Sequence, residues 1–155
     1  MVIQRWQSIL LLAAAVVMGC FTFCSLGQVQ AADFTYNFTS LGFFQEGIPT
    51  DGSIDVDYHT WYFFVLSFTT SLLLLIDIFL YKNLPLQKKV SLVGLLFVIA
   101  SGATAACLGY TAVEGGEIEW SSVALCPFIS IVAVLLAYGC MERDHNRLKA
   151  VDRIR

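Results

Sequence analysis

Charge is what this sequence is short of. Only 14% of its 155 residues are Asp, Glu, Lys or Arg, against 57% apolar, where soluble domains average about 25% charged. The mean hydropathy of +0.72 says the same. A water-exposed surface cannot be built from that supply, so a soluble globule is excluded. Histidine is nearly missing too: His59 and His145 stand far apart, and neither has a His, Cys or carboxylate cluster at ligand spacing. No Ser-His-Asp arrangement, glycine-rich phosphate loop or Cys-x-x-Cys pair occurs, and no metal or cofactor is implied. Proline is limited to Pro49, Pro85 and Pro127, at turns or helix starts.

Two of the connections between apolar runs lack basic residues altogether. The nine Lys and Arg residues are Arg5, Lys82, Lys88, Lys89, Arg143, Arg147, Lys149, Arg153 and Arg155. They precede the first run, separate the second from the third, or follow the fourth. The other two connections hold eight of the twelve acids: Asp33, Glu46, Asp51, Asp55, Asp57, Glu114, Glu117 and Glu119. Basic residues are retained on the cytoplasmic side, so the segregation predicts both termini inside and two acidic loops outside. Topology and anionic headgroups account for the basic residues, which leaves no nucleic-acid footprint.

The apolar runs are Ile9–Leu26, Trp61–Tyr81, Val90–Tyr110 and about Val123–Met141. Each approaches the ~20 residues a helix needs to cross a ~30 Å hydrocarbon core, and lipid forces the helical reading because it offers the backbone no partners. Trp6, Trp61, Tyr62, Tyr81, Tyr110 and Trp120 mark span ends, as an interfacial belt does. Only the 27–60 loop has room for structure outside the membrane. There Phe34, Tyr36 and Phe38 alternate with polar residues, and so do Ile54, Val56 and Tyr58, on either side of the turn-rich Gly47–Gly52. The expected fold is an all-α, four-transmembrane-helix bundle, one domain, with a small β-hairpin or sheet in the first outer loop, to which Glu117–Glu119 could add a strand. The layout is claudin-like by analogy of architecture alone. The tail, residues 142–155, is expected to continue the fourth helix, as a charged end at the lipid surface or as a docking helix. Arg5, the first apolar run and Val29-Gln-Ala31 also resemble a signal peptide, but the run exceeds the usual 7–15 residue core, so the first span is expected to be retained.

Asp77 is the one acid inside a span. A carboxylate at a helix centre costs roughly 2.5–3.5 kcal/mol on insertion scales, which makes such groups functional candidates. Thr70 shares its helix face and Ser67 adjoins, a candidate intramembrane polar site. Asp77 is five residues from Lys82, about 7 Å from the inner boundary, so structural pairing with Lys82 or Arg5 competes with a proton or cation site. Cys20, Cys24, Cys107 and Cys126 fall in the outer half of the spans and Cys140 near the inner face. Buried thiols are common small fillers; a disulfide among the outer four and thiol–quinone redox chemistry are the sharper alternatives. Ala15/Gly19, Gly102/Ala106, Ala105/Gly109 and Ala133/Ala137 are small residues four apart, which lets helices approach within one bundle or between proteins.

The segments Met1–Ser8, Ile78–Asn83 with Leu86-Gln87, and Asp152–Arg155 resemble the Bacteroidota family DUF4293, small four-span proteins grouped as a domain of unknown function. The resemblance implies a bacterial inner-membrane location and no established activity. Its matching positions, Arg5, Lys82, Asn83, Gln87, Asp152 and Arg153, would form a polar cluster on the inner face. The function expected is that of a non-enzymatic structural, assembly or accessory subunit, with the lipid bilayer and a membrane-protein partner or a second copy as its partners. A small transporter or ion-conducting protein using Ser67, Thr70 and Asp77 is the alternative, and a thiol–quinone redox protein a third. A cytoplasm-dependent reporter fused after Arg155 should be active, and the same reporter inserted at Glu114 inactive; the reverse would overturn the topology.

Overall fold

The computed structural model describes residues 2–31, 34–46, 56–111 and 117–152. Four long helices dominate it: α1 (Val2–Phe23), α2 (Trp61–Phe79), α3 (Leu84–Thr111) and α4 (Cys126–Asp152). Each contains a stretch long and apolar enough to cross a membrane. The helices form a closed ring in which α1 packs on α2 and α4, and α3 completes the circuit between those two. The α2–α3 link is a tight turn, and the α1–α2 and α3–α4 links both pass through the sheet at the opposite end, so both chain ends lie at one end of the bundle, the terminal end.

Helix limits differ from the apolar runs where charge and backbone disagree. α3 begins at Leu84, before Lys88 and Lys89, because lysine is a good helix former and Pro85 fits a first turn. α2 ends in a 3-10 turn, Leu80–Lys82, and α4 is preceded by another, Ser122–Leu125. Pro127 is the second residue of α4, a helix start and not a kink. Beyond Met141 the helix continues through the charged tail to Asp152.

The other end of the bundle carries an antiparallel sheet of β1 (Gly27–Ala31), β2 (Phe34–Thr39), β3 (Gly42–Glu46), β4 (Val56–His59) and β5 (Glu117–Trp120). Its order is β4-β3-β2-β1-β5. The two strands anticipated at Phe34 and Val56 are present, but they do not pair with each other. β3 lies between them, hidden in the sequence because Phe43 and Phe44 break the alternation at a register shift. β1 was legible as Gln28-Val-Gln30 alternation, which the cleavage-site resemblance masked. β5 is the added strand anticipated from the second loop, and it joins β1. Ile54 and the Gly47–Gly52 turn lie outside the described residues.

The sheet is fastened to the helices by rings and hydroxyls. Phe38 stacks on Phe43 at 4.5 Å, packs near Phe63 at 6.3 Å, and Phe63 meets Phe21 edge-on at 5.9 Å. Beside this plug the Thr60 hydroxyl donates to Ser40 O, Ser40 donates to Thr22 O, and Thr22 donates to Met18 O. All three residues are buried, so the β2–β3 turn is tied to the end of α1 and the start of α2.

The bundle is inverted relative to a soluble protein. Ser67, Thr70, Asp77, Ser91, Ser101 and Ser130 are fully buried, while Leu12, Val16, Leu72, Ile76, Leu96, Val132 and Leu135 point outward. Only a lipid surround makes that arrangement favourable. The predicted belt residues Trp6, Trp61, Tyr62, Tyr81, Tyr110 and Trp120 are all exposed.

Two close approaches depend on glycine. A Cβ at Gly109 would lie 2.6 Å from the Trp120 ring, and one at Gly27 2.6 Å from the Glu119 backbone oxygen. Gly27→Ala should cost about 1–3 kcal/mol, the range for overpacking against backbone that cannot yield. Gly139→Ala, with nothing within 4 Å, should be neutral or slightly stabilising. Thermal melts in detergent would compare the two, and equal effects would contradict this packing.

Candidate functional site

One face of α2 presents Phe63, Ser67, Thr70, Leu74 and Asp77 to the interior. The facing side of α3 presents Gln87, Ser91, Gly94 and Val98. Gly94 lets the helices close: a Cβ there would sit 3.1 Å from Leu74 Cδ2. The approach brings Ser91 opposite Asp77, and its hydroxyl donates to Asp77 Oδ2. Gln87 Nε2 donates to the Asp77 backbone carbonyl at 3.2 Å, which also accepts the Leu80 N–H at the end of α2. Met141 of α4 closes the pocket, with its sulfur 3.7 Å from Ser91 Oγ.

The three residues of the anticipated polar stripe do share a face. Ser67 and Thr70, however, donate to carbonyls of their own helix, Phe64 O at 3.1 Å and Leu66 O at 2.8 Å, and buried Leu74 separates them from Asp77. Asp77 instead joins Gln87, a residue of the anticipated inner-face cluster. Asn83, from that same cluster, is exposed at the α2–α3 turn. The side chains of Arg5, Lys82 and Asp152, and all of Arg153, lie outside the described residues, so their pairing with Asp77 or with each other is not described.

Ser91, Gln7, Asp144 and Met141 were not anticipated. Ser91 had a signal: Asp77 and Ser91 stand equally far from Leu84, and residues equidistant from a tight antiparallel turn face each other. Gln7 and Asp144 had none, since they are far apart in sequence. Gln7 Nε2 donates to Asp144 Oδ2 at 2.8 Å, tying α1 to α4 about one turn beyond Met141 towards the terminal end. Lys88 approaches Glu142 at 3.7 Å and lies 5.8 Å from the Tyr138 ring centre. With Glu142 half exposed that ion pair contributes little.

A second concavity lies at the other end. Between α3 and α4, under the sheet, is an apolar cavity of about 740 Å³. Small residues of α3 (Gly102, Ala103, Ala106) form one wall and Leu125 of the 3-10 turn with Phe128 of α4 the other, with Tyr110 and Trp120 above. Gly102 stays small because a Cβ would meet Pro127 at 3.2 Å. The other small-residue pairs serve contacts within the bundle: Ala15 O accepts from Ser71, Gly109 receives Trp120, and Ala137 is buried.

Among the described residues no three His, Cys, Asp or Glu side chains come together to hold a metal. The five cysteines are free; Cys20, Cys24 and Cys107 are exposed and Cys126 and Cys140 half-buried.

Four apolar spans, buried polar side chains and a sheet-capped end define a multi-pass helical-bundle membrane protein. Comparison with curated proteins returns no match. The chain belongs to the bacterial family described as Domain of unknown function (DUF4293), which matches residues 3–154.

The hydrogen-bond pattern separates two kinds of buried hydroxyl. Ser91→Ala removes the only donor to Asp77 Oδ2 among the described residues and should destabilise by about 1–3 kcal/mol. Ser67→Ala, whose hydroxyl serves its own helix, should change stability by less than about 0.5 kcal/mol. Unfolding in mixed micelles would measure both.

Proposed function

We propose that the protein is a non-enzymatic accessory subunit of the bacterial inner membrane that binds a helix of another membrane protein. The observation behind this reading is the lateral groove between α3 and α4. Lipid-facing surfaces are apolar everywhere, so apolarity alone singles out nothing. A recess walled by Gly102, Ala103 and Ala106 is different, because small residues allow a partner's backbone to approach and gain van der Waals contact. Leu125 and Phe128 offer the opposite wall to larger side chains. The basic residues at the terminal end support placing that end in the cytoplasm, which sets the groove in the outer leaflet and the sheet beside it on the outer surface.

Transport is less favoured, since Ser67 and Thr70 bond to their own helix and Leu74 interrupts the stripe. Thiol redox is less favoured again, because Cys20 and Cys24 stand four apart within an apolar helix and not as a Cys-x-x-Cys pair at a helix start or in a loop.

A photo-crosslinker at Ala103, on the groove, should capture a membrane protein in native membranes, while one at Leu72, on the outward face of α2, should not. A captured second copy of this chain would make the partner a homo-oligomer. Lipid adducts alone from both positions would overturn the proposal.

A further inference from the structure

Two buried side-chain atoms among the described residues have no hydrogen-bond partner: Asp77 Oδ1 and Gln87 Oε1. Both side chains are closed off from the surroundings, at 0% and 1% exposure. The two residues are in contact, since Gln87 Nε2 donates to the Asp77 backbone carbonyl. Both orphan atoms are acceptors, so neither can satisfy the other. An unmet buried acceptor is unfavourable, and two of them on residues in contact mark the place of a missing donor. Rotating the Gln87 amide does not remove the problem, because it would turn Oε1 onto the Asp77 carbonyl and set acceptor against acceptor.

Among the described residues the neighbouring donors are already engaged. The Ser91 hydroxyl serves Asp77 Oδ2. Gln7 of α1 serves Asp144, and Lys88 of α3 is turned to Glu142 and Tyr138. The remaining titratable and charged groups towards this end are Lys89 of α3, exposed, and Glu142, Arg143, Asp144 and His145 of α4, together with Arg5, Lys82, Arg147, Lys149, Asp152, Arg153 and Arg155, whose side chains lie outside the described residues.

We propose that Asp77 and Gln87 form a proton-binding site, with one proton on Asp77 Oδ1 donated to Gln87 Oε1. A single proton turns one orphan acceptor into a donor and satisfies the other, and it removes a carboxylate charge from hydrocarbon. No electron transfer is involved; the proton comes from water and returns to it. Towards the terminal end, half-buried Asp144 stands about one turn beyond Met141 and accepts from Gln7. The inference is independent of the groove, which lies at the opposite end of the bundle.

A hydrophobic carbodiimide tests it, since these reagents enter membranes and modify protonated carboxyls. Dicyclohexylcarbodiimide should label wild-type protein in liposomes at Asp77, read by peptide mass, with labelling that falls as pH rises. Asp77→Asn should abolish the adduct. Gln87→Leu removes the acceptor that favours the protonated form, and should lower labelling at a fixed pH several-fold. Because either variant could fold poorly, difference infrared spectra of the wild type supply a second readout: a protonated-carboxyl stretch lost on raising pH. Labelling confined to Glu142 or Asp144, or no carboxyl stretch, would overturn the proposal. Protection of Asp77 by sodium at constant pH would also overturn it, by showing a metal-cation site instead.

Discussion

The helical bundle depends on the inability of hydrocarbon to hydrogen-bond. Each backbone polar group inside the membrane has to be satisfied by its own helix, and each polar side chain has to find a partner in the bundle. The hydroxyls do this in two ways. Ser67, Thr70 and Ser101 bond to carbonyls of their own helices. Ser71 and Ser130 reach across to Ala15 O and Ala14 O of α1. Such interhelical bonds are worth about 0.6 kcal/mol on average, too little to hold a bundle alone but enough to choose which faces meet. Asp77 is where the same constraint is left open, because its second oxygen has no donor among the described residues.

Packing supplies what hydrophobicity cannot when the solvent is itself apolar. Lipid matches Leu and Ile as a partner, so close approach at Gly94 and Gly102 becomes the means of association. At the sheet-capped end the surroundings change to water, and burial of Val29, Phe38 and Phe43 against Phe21 and Phe63 becomes favourable in the ordinary way. The molecule thus has two kinds of core joined end to end, one built on small residues and hydrogen bonds, the other on aromatic rings. The Thr60–Ser40–Thr22 series of hydroxyls crosses the junction.

The candidate site was half legible. A carboxylate within an apolar run announces itself in any sequence, and Asp77 did. Gln87 was noticed only through its resemblance to a family motif, and its helical position left open whether it faced water or Asp77. Ser91 could have been found by counting outwards from the α2–α3 turn. Nothing local marked Gln7 and Asp144, or the engagement of Ser67 and Thr70 with their own backbone, because helix rotation and side-chain direction depend on what the neighbouring helices present.

By itself the sequence determined the four spans, the sheet-forming loop and the segregation of charge, since these depend on transfer energies and periodicities that local composition sets. The helix ends were less well determined, because lysines end an apolar run without ending a helix. Only the tertiary structure decided that β3 separates the two strands read from the sequence, that β5 joins β1, and that Asp77 meets Gln87 and Ser91. Those outcomes depend on register and close approach between segments distant in the chain, and no local residue pattern contains them.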